Sequence, residues 1–203
     1  MKKFTDLTLE SYLNELSSDA PVPGGGSVSA YVASLAMGLT QMVGRISLKR
    51  KKKNVSPEEE KKDAQKHETI QKIVTALEKT KRDVFQIVNL DPEVYQEVMN
   101  AYSQPEKIEE ALQNSFRLQA DLTFLVVMAH EWNNAMADLV SGSIKNDLLV
   151  SAALLEAAFR GAYHTAMINV VYMKEADRKA RAEKALAELK HRYEKGAPLE
   201  SRR

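Results

Sequence analysis

Asp91 is the residue best placed to do acid–base chemistry. It stands between an apolar helical run and Pro92-Glu93. Two readings of it are open and compatible. In one it is an N-cap, with Pro at the first helical position and Glu at the second. In the other it is a carboxylate held at a helix break, free to enter a cleft as a general acid or base. A second stretch, Pro23-Gly24-Gly25-Gly26-Ser27, frees the backbone to take positive φ or to approach another group closely. Its amides at a helix start suit an anion or a polar ring edge. No Gly-Lys-Ser/Thr follows, so it is not a nucleotide phosphate loop. Its plain structural reading is a glycine-rich connection capping a core helix.

Other polar residues carry weaker signals. Asn146-Asp147 reads as an N-cap pair, and Lys145 beside it as a cation for a carboxylate. Glu156 and Arg160 form an i,i+4 pair. His164 reads as a satisfied core or interface group. Thr165 and Asn169 share a helix face and, if buried, need hydrogen-bond partners in the protein or in a ligand. Lys49 to Lys53 is a basic loop, read as a solvated one. The histidines His67, His130, His164 and His191 lie far apart, with none at metal-ligand spacing, and His130-Glu131 does not extend to the zinc-protease pattern.

The elements that must position these groups are helices. No period-2 apolar run stands out, and Gly and Pro are few. Leu7 to Leu16 reads as a short helix with Tyr12, Leu13 and Leu16 on one face. Val28 to Leu48 follows the glycines, with one stripe of Val28, Tyr31, Val32, Leu35, Leu39, Met42, Val43 and Ile46 and a second, small stripe of Ala30, Ala33 and Gly44. Such a helix is expected to be buried, with something packed close against it. Ser56-Pro57-Glu58-Glu59-Glu60 is a strong helix start, and that helix is expected to reach about Leu90. Pro92 forces a restart or a bend, so Val94 to Tyr102 is a short new helix or a bent continuation. Pro105 is expected to open a long helix that fades at Ser141-Gly142-Ser143, and Asn146-Asp147 to cap the most apolar one, Leu148 to about Met173. The last helix, Glu175 to Tyr193, turns Ala182, Leu186, Leu189 and Tyr193 inward. The fold expected is all-α: one domain over 1–203, a bundle of long antiparallel helices with a frayed tail at 196–203. Two very apolar helices in so small a chain also point to burial in an oligomer.

Composition narrows the function classes. The 203 residues carry a formal net charge of +1, which gives no global field for nucleic acid or an acidic membrane. The absence of cysteine excludes disulfides, thiolate metal sites and a cysteine nucleophile. The start lacks an apolar h-region, and no stretch of about 18 uninterrupted apolar residues appears. A cytoplasmic location is the expectation.

Several blocks taken together resemble the cyclodeaminase family: the C-terminal domains of formiminotransferase-cyclodeaminase and free-standing relatives, including methenyltetrahydrofolate cyclohydrolases. The blocks are Leu13-Asn14-Glu15-Leu16 through Ala20-Pro21-Val22-Pro23-Gly24-Gly25-Gly26-Ser27-Val28-Ser29-Ala30, then Met42-Val43, Asp91-Pro92-Glu93-Val94-Tyr95, Asn146-Asp147, Gly161-Ala162 and Ile168-Asn169. They occur in order and span nearly the whole chain. The departures are Thr165 where the family usually has Asn, Asn146 where it has Ser, Lys145 where some members have Arg, and a missing Val-Pro-Leu near Leu122-Thr123-Phe124.

The resemblance implies an all-helical homodimer or higher oligomer, with a folate site in a cleft near the subunit interface and Asp91 as the catalytic group. The implied reaction converts 5-formiminotetrahydrofolate to 5,10-methenyltetrahydrofolate and ammonia. One carboxylate could serve both proton transfers and balance the charge on the amidine carbon. Substrate contacts are then expected from Gly24, Gly25, Gly26, Ser27, Asp147 and Asn169. Arg50, Lys51 and Lys145 are candidates for the glutamate carboxylates of a substrate that is sometimes polyglutamylated. No metal or cofactor beyond the tetrahydrofolate substrate is called for, and a separate formiminotransferase is a candidate partner. Two alternatives stay open: a cyclohydrolase giving 10-formyltetrahydrofolate, and a non-catalytic helical oligomer that binds a ligand.

Overall fold

The computed structural model describes residues 3–50 and 56–196. Among the described residues there are six α-helices and no strand: α1 (Leu9–Leu16), α2 (Gly25–Lys49), α3 (Pro57–Ala101), α4 (Ile108–Leu139), α5 (Lys145–Tyr172) and α6 (Ala176–Lys195). The all-α expectation holds. α2, α3, α4 and α5 form an up-down-up-down ring in which α2 packs on α3 and α5, and α4 packs on the other side of both. A short 3-10 turn, Phe4–Asp6, docks on α3, and α6 lies across α4 and α5. No helix among the described residues is long and apolar enough to cross a membrane.

Local chemistry explains most of the boundaries. Thr8 caps α1 by accepting from the Ser11 amide. Ser56 starts α3 with a full capping box, its hydroxyl accepting from the Glu59 amide while the Glu59 carboxylate accepts from the Ser56 amide. Three expected boundaries are corrected. α3 does not stop near Leu90; it runs unbroken through Pro92 to Ala101. Proline removes one amide, the partner of the Val88 carbonyl, and the Ser27 hydroxyl donates to that carbonyl instead, at 2.9 Å. α4 begins at Ile108, because 102–107 is taken up by turns. α5 begins at Lys145, and Asn146 and Asp147 lie inside its first turn rather than capping it. The amides of Lys145, Asn146 and Asp147 bond three residues back, to Gly142, Ser143 and Ile144, so the chain is already coiled when it reaches them. Gly142, at φ 87°, makes the turn before it.

The face of α2 that carries its small residues is the buried one, with Met37 and Val43 on it, and part of the large stripe is exposed. Its small residues Ala30, Ala33, Ala36 and Gly44 are buried, and Leu35, Met42 and Ile46 are exposed. Closeness is the reason. A Cβ on Gly44 would collide with Val74 and Met136, and one on Gly161 of α5 with Ser29, so the backbones approach too tightly for larger groups. On α1, Tyr12 is buried and Leu13 is exposed, so that helix presents a narrower face than its pattern implied. The inward face of α6 is as expected: Ala182 and Leu186 are buried, and Leu189 packs partly buried beside them.

The ring is filled by Met37, Val43, Leu77, Leu122, Met136, Leu148 and Leu155. One polar knot crosses it. Thr40 donates to Asn133 Oδ1 at 2.7 Å, Asn133 Nδ2 donates to the Leu148 carbonyl at 3.0 Å, and Ser151 donates to the Ala36 carbonyl at 2.9 Å. This knot ties α2, α4 and α5 at a fixed height and satisfies both ends of the Asn133 amide. α6 is held by a forked pair, Arg192 Nε and Nη2 on the two oxygens of Glu131, at 2.7 and 2.8 Å.

Candidate active site

Asp91 is only 8% exposed and points from the C-terminal quarter of α3 towards the start of α2. Its Oδ2 accepts from the Ser27 backbone amide at 2.9 Å, and its Oδ1 from Gln119 Nε2 of α4 at 2.7 Å. The glycine-led helix end therefore does bind an anion, and that anion is a carboxylate of its own chain. The glycines serve by size. None of Gly24, Gly25 and Gly26 takes a positive φ, and a Cβ on Gly26 would strike Asp91 and Gln119 directly. Asp91 is thus neither an N-cap nor at a chain break. It is an interior helical residue, gripped one position before Pro92.

Burial pushes the Asp91 carboxyl above the ordinary aspartate value, and the two donors pull it only part of the way back. Such a carboxylate is a stronger base than an exposed one. Behind it, the Tyr12 hydroxyl meets Ser27 Oγ at 3.3 Å, completing a relay from Tyr12 through Ser27 to the Val88 carbonyl. Gln119 is fully buried, and its Oε1 has no hydrogen-bond partner.

In front of Asp91 lies a cavity of about 280 Å³. Gly24, Gly25 and Gly26 form one side of it. Tyr95, Val98, Met99 and Tyr102 continue the Asp91 face of α3, Leu112 and Ser115 come from α4, and Thr165, Ile168, Asn169 and Tyr172 come from α5. Asp91 is the one carboxylate in this lining, and the lining has no Lys, Arg or His. The size falls at the low end of the range for small-molecule sites, room for a ring system rather than for a long ligand. Polar edges and aromatic faces around one buried acid suit a flat heterocycle whose nitrogen exchanges a proton.

The structure brings together some of the residues expected at the site. Asp91, Gly24, Gly25, Gly26 and Asn169 line the cavity. Ser27 sits behind it, holding Asp91. Asn169 is buried and donates back to the Thr165 carbonyl at 2.9 Å. Arg50, Lys145 and Asp147 are not there. They sit at the opposite end of the bundle, where Arg50 Nη1 donates to the Ser141 carbonyl at 3.3 Å. The 25 residues of α2 separate them from the cavity, about 37 Å at 1.5 Å per residue. Lys51 lies outside the described residues.

Sequence reading missed Gln119, Tyr95 and Tyr102. The last two stand four and eleven positions after Asp91, on one helical face. That stripe was visible only to a reading that carried the helix through Pro92. Gln119 had no local signal, because its role comes from packing α4 against α3.

Comparison with known proteins gives a consistent result. The family model described as formiminotransferase-cyclodeaminase matches residues 8–188. The formimidoyltransferase-cyclodeaminase of Gallus gallus is 24% identical over 202 residues, covering 94% of this chain and 36% of that protein. The chain thus spans about a third of the length of that curated relative. The methenyltetrahydrofolate cyclohydrolase of Methylorubrum extorquens is 24% identical over 190 residues, covering 90% of this chain and 86% of that one. The crystal structure of formiminotetrahydrofolate cyclodeaminase from Thermotoga maritima superposes with a TM-score of 0.85 at 22% identity, over 96% of this chain and 93% of that one, which shows a shared fold.

Proposed function

We propose a reaction from the premise that this chain belongs to the formiminotransferase-cyclodeaminase family, whose members are folate-processing enzymes: it closes 5-formiminotetrahydrofolate to 5,10-methenyltetrahydrofolate and releases ammonia. The observation that carries this reading is Asp91, the one carboxylate buried among the described residues, at the head of a cavity sized for a ring.

The steps balance with that one group. N10 of the substrate attacks the amidine carbon and forms the new C–N bond. Asp91 takes the N10 proton and returns it to the formimino nitrogen, which leaves as ammonia, and the methenyl cation keeps the substrate's positive charge. The carboxylate beside the carbon also balances that charge. The reaction is intramolecular, so holding N5, the carbon and N10 in one conformation supplies much of the acceleration. Tyr95 and Tyr102 offer faces for the ring, and Gly24 and Gly25 let it approach backbone amides.

A second reading keeps the site and changes the nucleophile: water adds to the methenyl carbon, with Asp91 as base, and gives 10-formyltetrahydrofolate. The Methylorubrum cyclohydrolase favours it, because this chain covers most of that protein's length rather than a third of it. The test follows the methenyl absorbance in two directions. Formation from 5-formiminotetrahydrofolate with ammonia release supports the cyclodeaminase. Loss of supplied methenyltetrahydrofolate above the buffer rate, without the first activity, replaces it with the cyclohydrolase.

A further inference from the structure

Gln119 is fully buried and lies outside the lining of the cavity. It stands one turn beyond Ser115 and two beyond Leu112, the residues that α4 does bring to that lining. Its Nε2 donates to Asp91 Oδ1 at 2.7 Å. Its Oε1 has no hydrogen-bond partner among the described residues. A side chain that only filled this place would be apolar, because an idle buried amide oxygen carries a desolvation cost that a methionine of similar length avoids. Gly26 closes over the contact, since a Cβ there would strike both Asp91 Oδ1 and Gln119 Nε2. Three helices, α2, α3 and α4, therefore meet on this one hydrogen bond.

The two donors that hold Asp91 are not alike. The Ser27 amide is backbone, fixed in α2, and can only donate. A primary amide carries a donor and an acceptor and exchanges them by a half turn about its last bond. The idle Oε1 is thus the acceptor that Asp91 needs once it holds a proton. No neighbouring charge competes with these hydrogen bonds. The titratable groups that face the carboxylate are phenols: Tyr12 of α1 behind Ser27, Tyr95 and Tyr102 of α3, and Tyr172 of α5. Among the described residues, α2 and α4 bring no titratable group to the cavity lining.

We propose that Gln119 is a positioning residue that serves Asp91 in both of its protonation states, donating through Nε2 to the carboxylate and accepting through Oε1 from the acid. It keeps the carboxyl aimed into the cavity while the proton comes and goes, and it never touches the substrate itself. Its part in turnover rests on the folate reading; its hold on the Asp91 proton does not. The bond to the ionised form is the stronger of the two, as a charge-assisted one. Loss of Gln119 therefore makes Asp91 harder to ionise.

The test uses four full-length chains: wild type, Asp91→Asn, Gln119→Met and the double variant. Melting temperatures are taken across pH. In each background the advantage of Asp91→Asn grows with pH and levels off once the folded carboxyl has ionised. Without Gln119 it levels off about one pH unit higher, the size expected for a hydrogen bond to a charged group. The acid limb of kcat/KM for 5-formiminotetrahydrofolate moves up by the same amount, and KM above that limb stays unchanged. Packing alone would lower the melting temperature and leave both pH features in place, which would overturn the proposal. Gln119→Glu guards against a methionine variant that does not fold. Its carboxyl shares one proton with Asp91, restores a donor, and adds an alkaline limb where that proton leaves; a profile without the new limb would also overturn the proposal. For the turn of the amide, the glutamine side-chain nitrogen is isotope-labelled. The Gln119 resonance, identified by its loss in Gln119→Met, should shift as Asp91 titrates and stay fixed in Asp91→Asn. A resonance that ignores the titration would overturn the exchange of roles. A wild type silent on folates would overturn the folate reading and leave the melting and resonance results untouched.

Discussion

The Ser27 hydroxyl donates to the Val88 carbonyl, 2.9 Å away, the carbonyl that Pro92 leaves without a helical amide. The same residue's backbone amide holds Asp91 Oδ2. One side chain therefore repairs the helix, and the adjoining backbone holds the acid. Ser27→Ala should leave the Val88 carbonyl buried without a donor and destabilise the fold by about 1–3 kcal/mol. The backbone grip on Asp91 persists, so turnover per folded molecule should fall far less than stability. Thermal melts and initial rates on the same preparation check this.

The glycines should separate sharply. At Gly24 an added Cβ meets the Pro21 carbonyl at 3.6 Å, an ordinary contact, whereas at Gly26 it strikes Asp91 and Gln119. Gly24→Ala should change stability by less than about 1 kcal/mol, and Gly26→Ala should cost about 1–3 kcal/mol and displace the carboxylate. Denaturant titrations of the two variants make the comparison.

Thr40→Val removes the donor to Asn133 Oδ1 at the centre of the ring. The buried amide oxygen then lacks its partner, and a loss of about 1–3 kcal/mol is expected without a change in the Asp91 environment. Urea unfolding measures the loss. Unchanged stability would show that the knot carries no weight.

The raised pKa of Asp91 ties stability to pH. The folded state holds this proton more tightly than the unfolded chain does. Its contribution is therefore fully present below the ordinary aspartate value and is lost as pH rises through the raised value. Asp91→Asn carries no such charge, and Gln119 can turn its Oε1 to accept from the new amide. The melting temperature of Asp91→Asn relative to wild type should climb as pH rises through that window. A constant difference from acid to neutral pH would contradict the burial argument.

Much of this was legible in the chain. The helix content, the Ser56 start and the inward face of α6 follow from periodicity and capping, and the gathering of the glycines with Asp91 and Asn169 was implied by the family resemblance. Three features were not. Pro92 reads locally as a break, and a hydroxyl 61 residues before Val88 satisfies the carbonyl that the proline leaves free inside α3. Asn146 and Asp147 look like caps, but a turn begun at Gly142 already coils the chain before them. On α2, the apolar stripe divides: Val43 is buried with Met37 and the small residues Ala30, Ala33, Ala36 and Gly44, whereas Leu35, Met42 and Ile46 are exposed, a split that spacing alone does not mark.

The most direct test of the account is the rate at which Asp91→Asn converts 5-formiminotetrahydrofolate to the methenyl product, with circular dichroism confirming the fold. The account predicts a folded protein whose turnover is lower by about 10²–10⁴-fold, the usual worth of a positioned acid–base group. A folded variant that turns over at the wild-type rate would remove Asp91 from the chemistry and contradict the account.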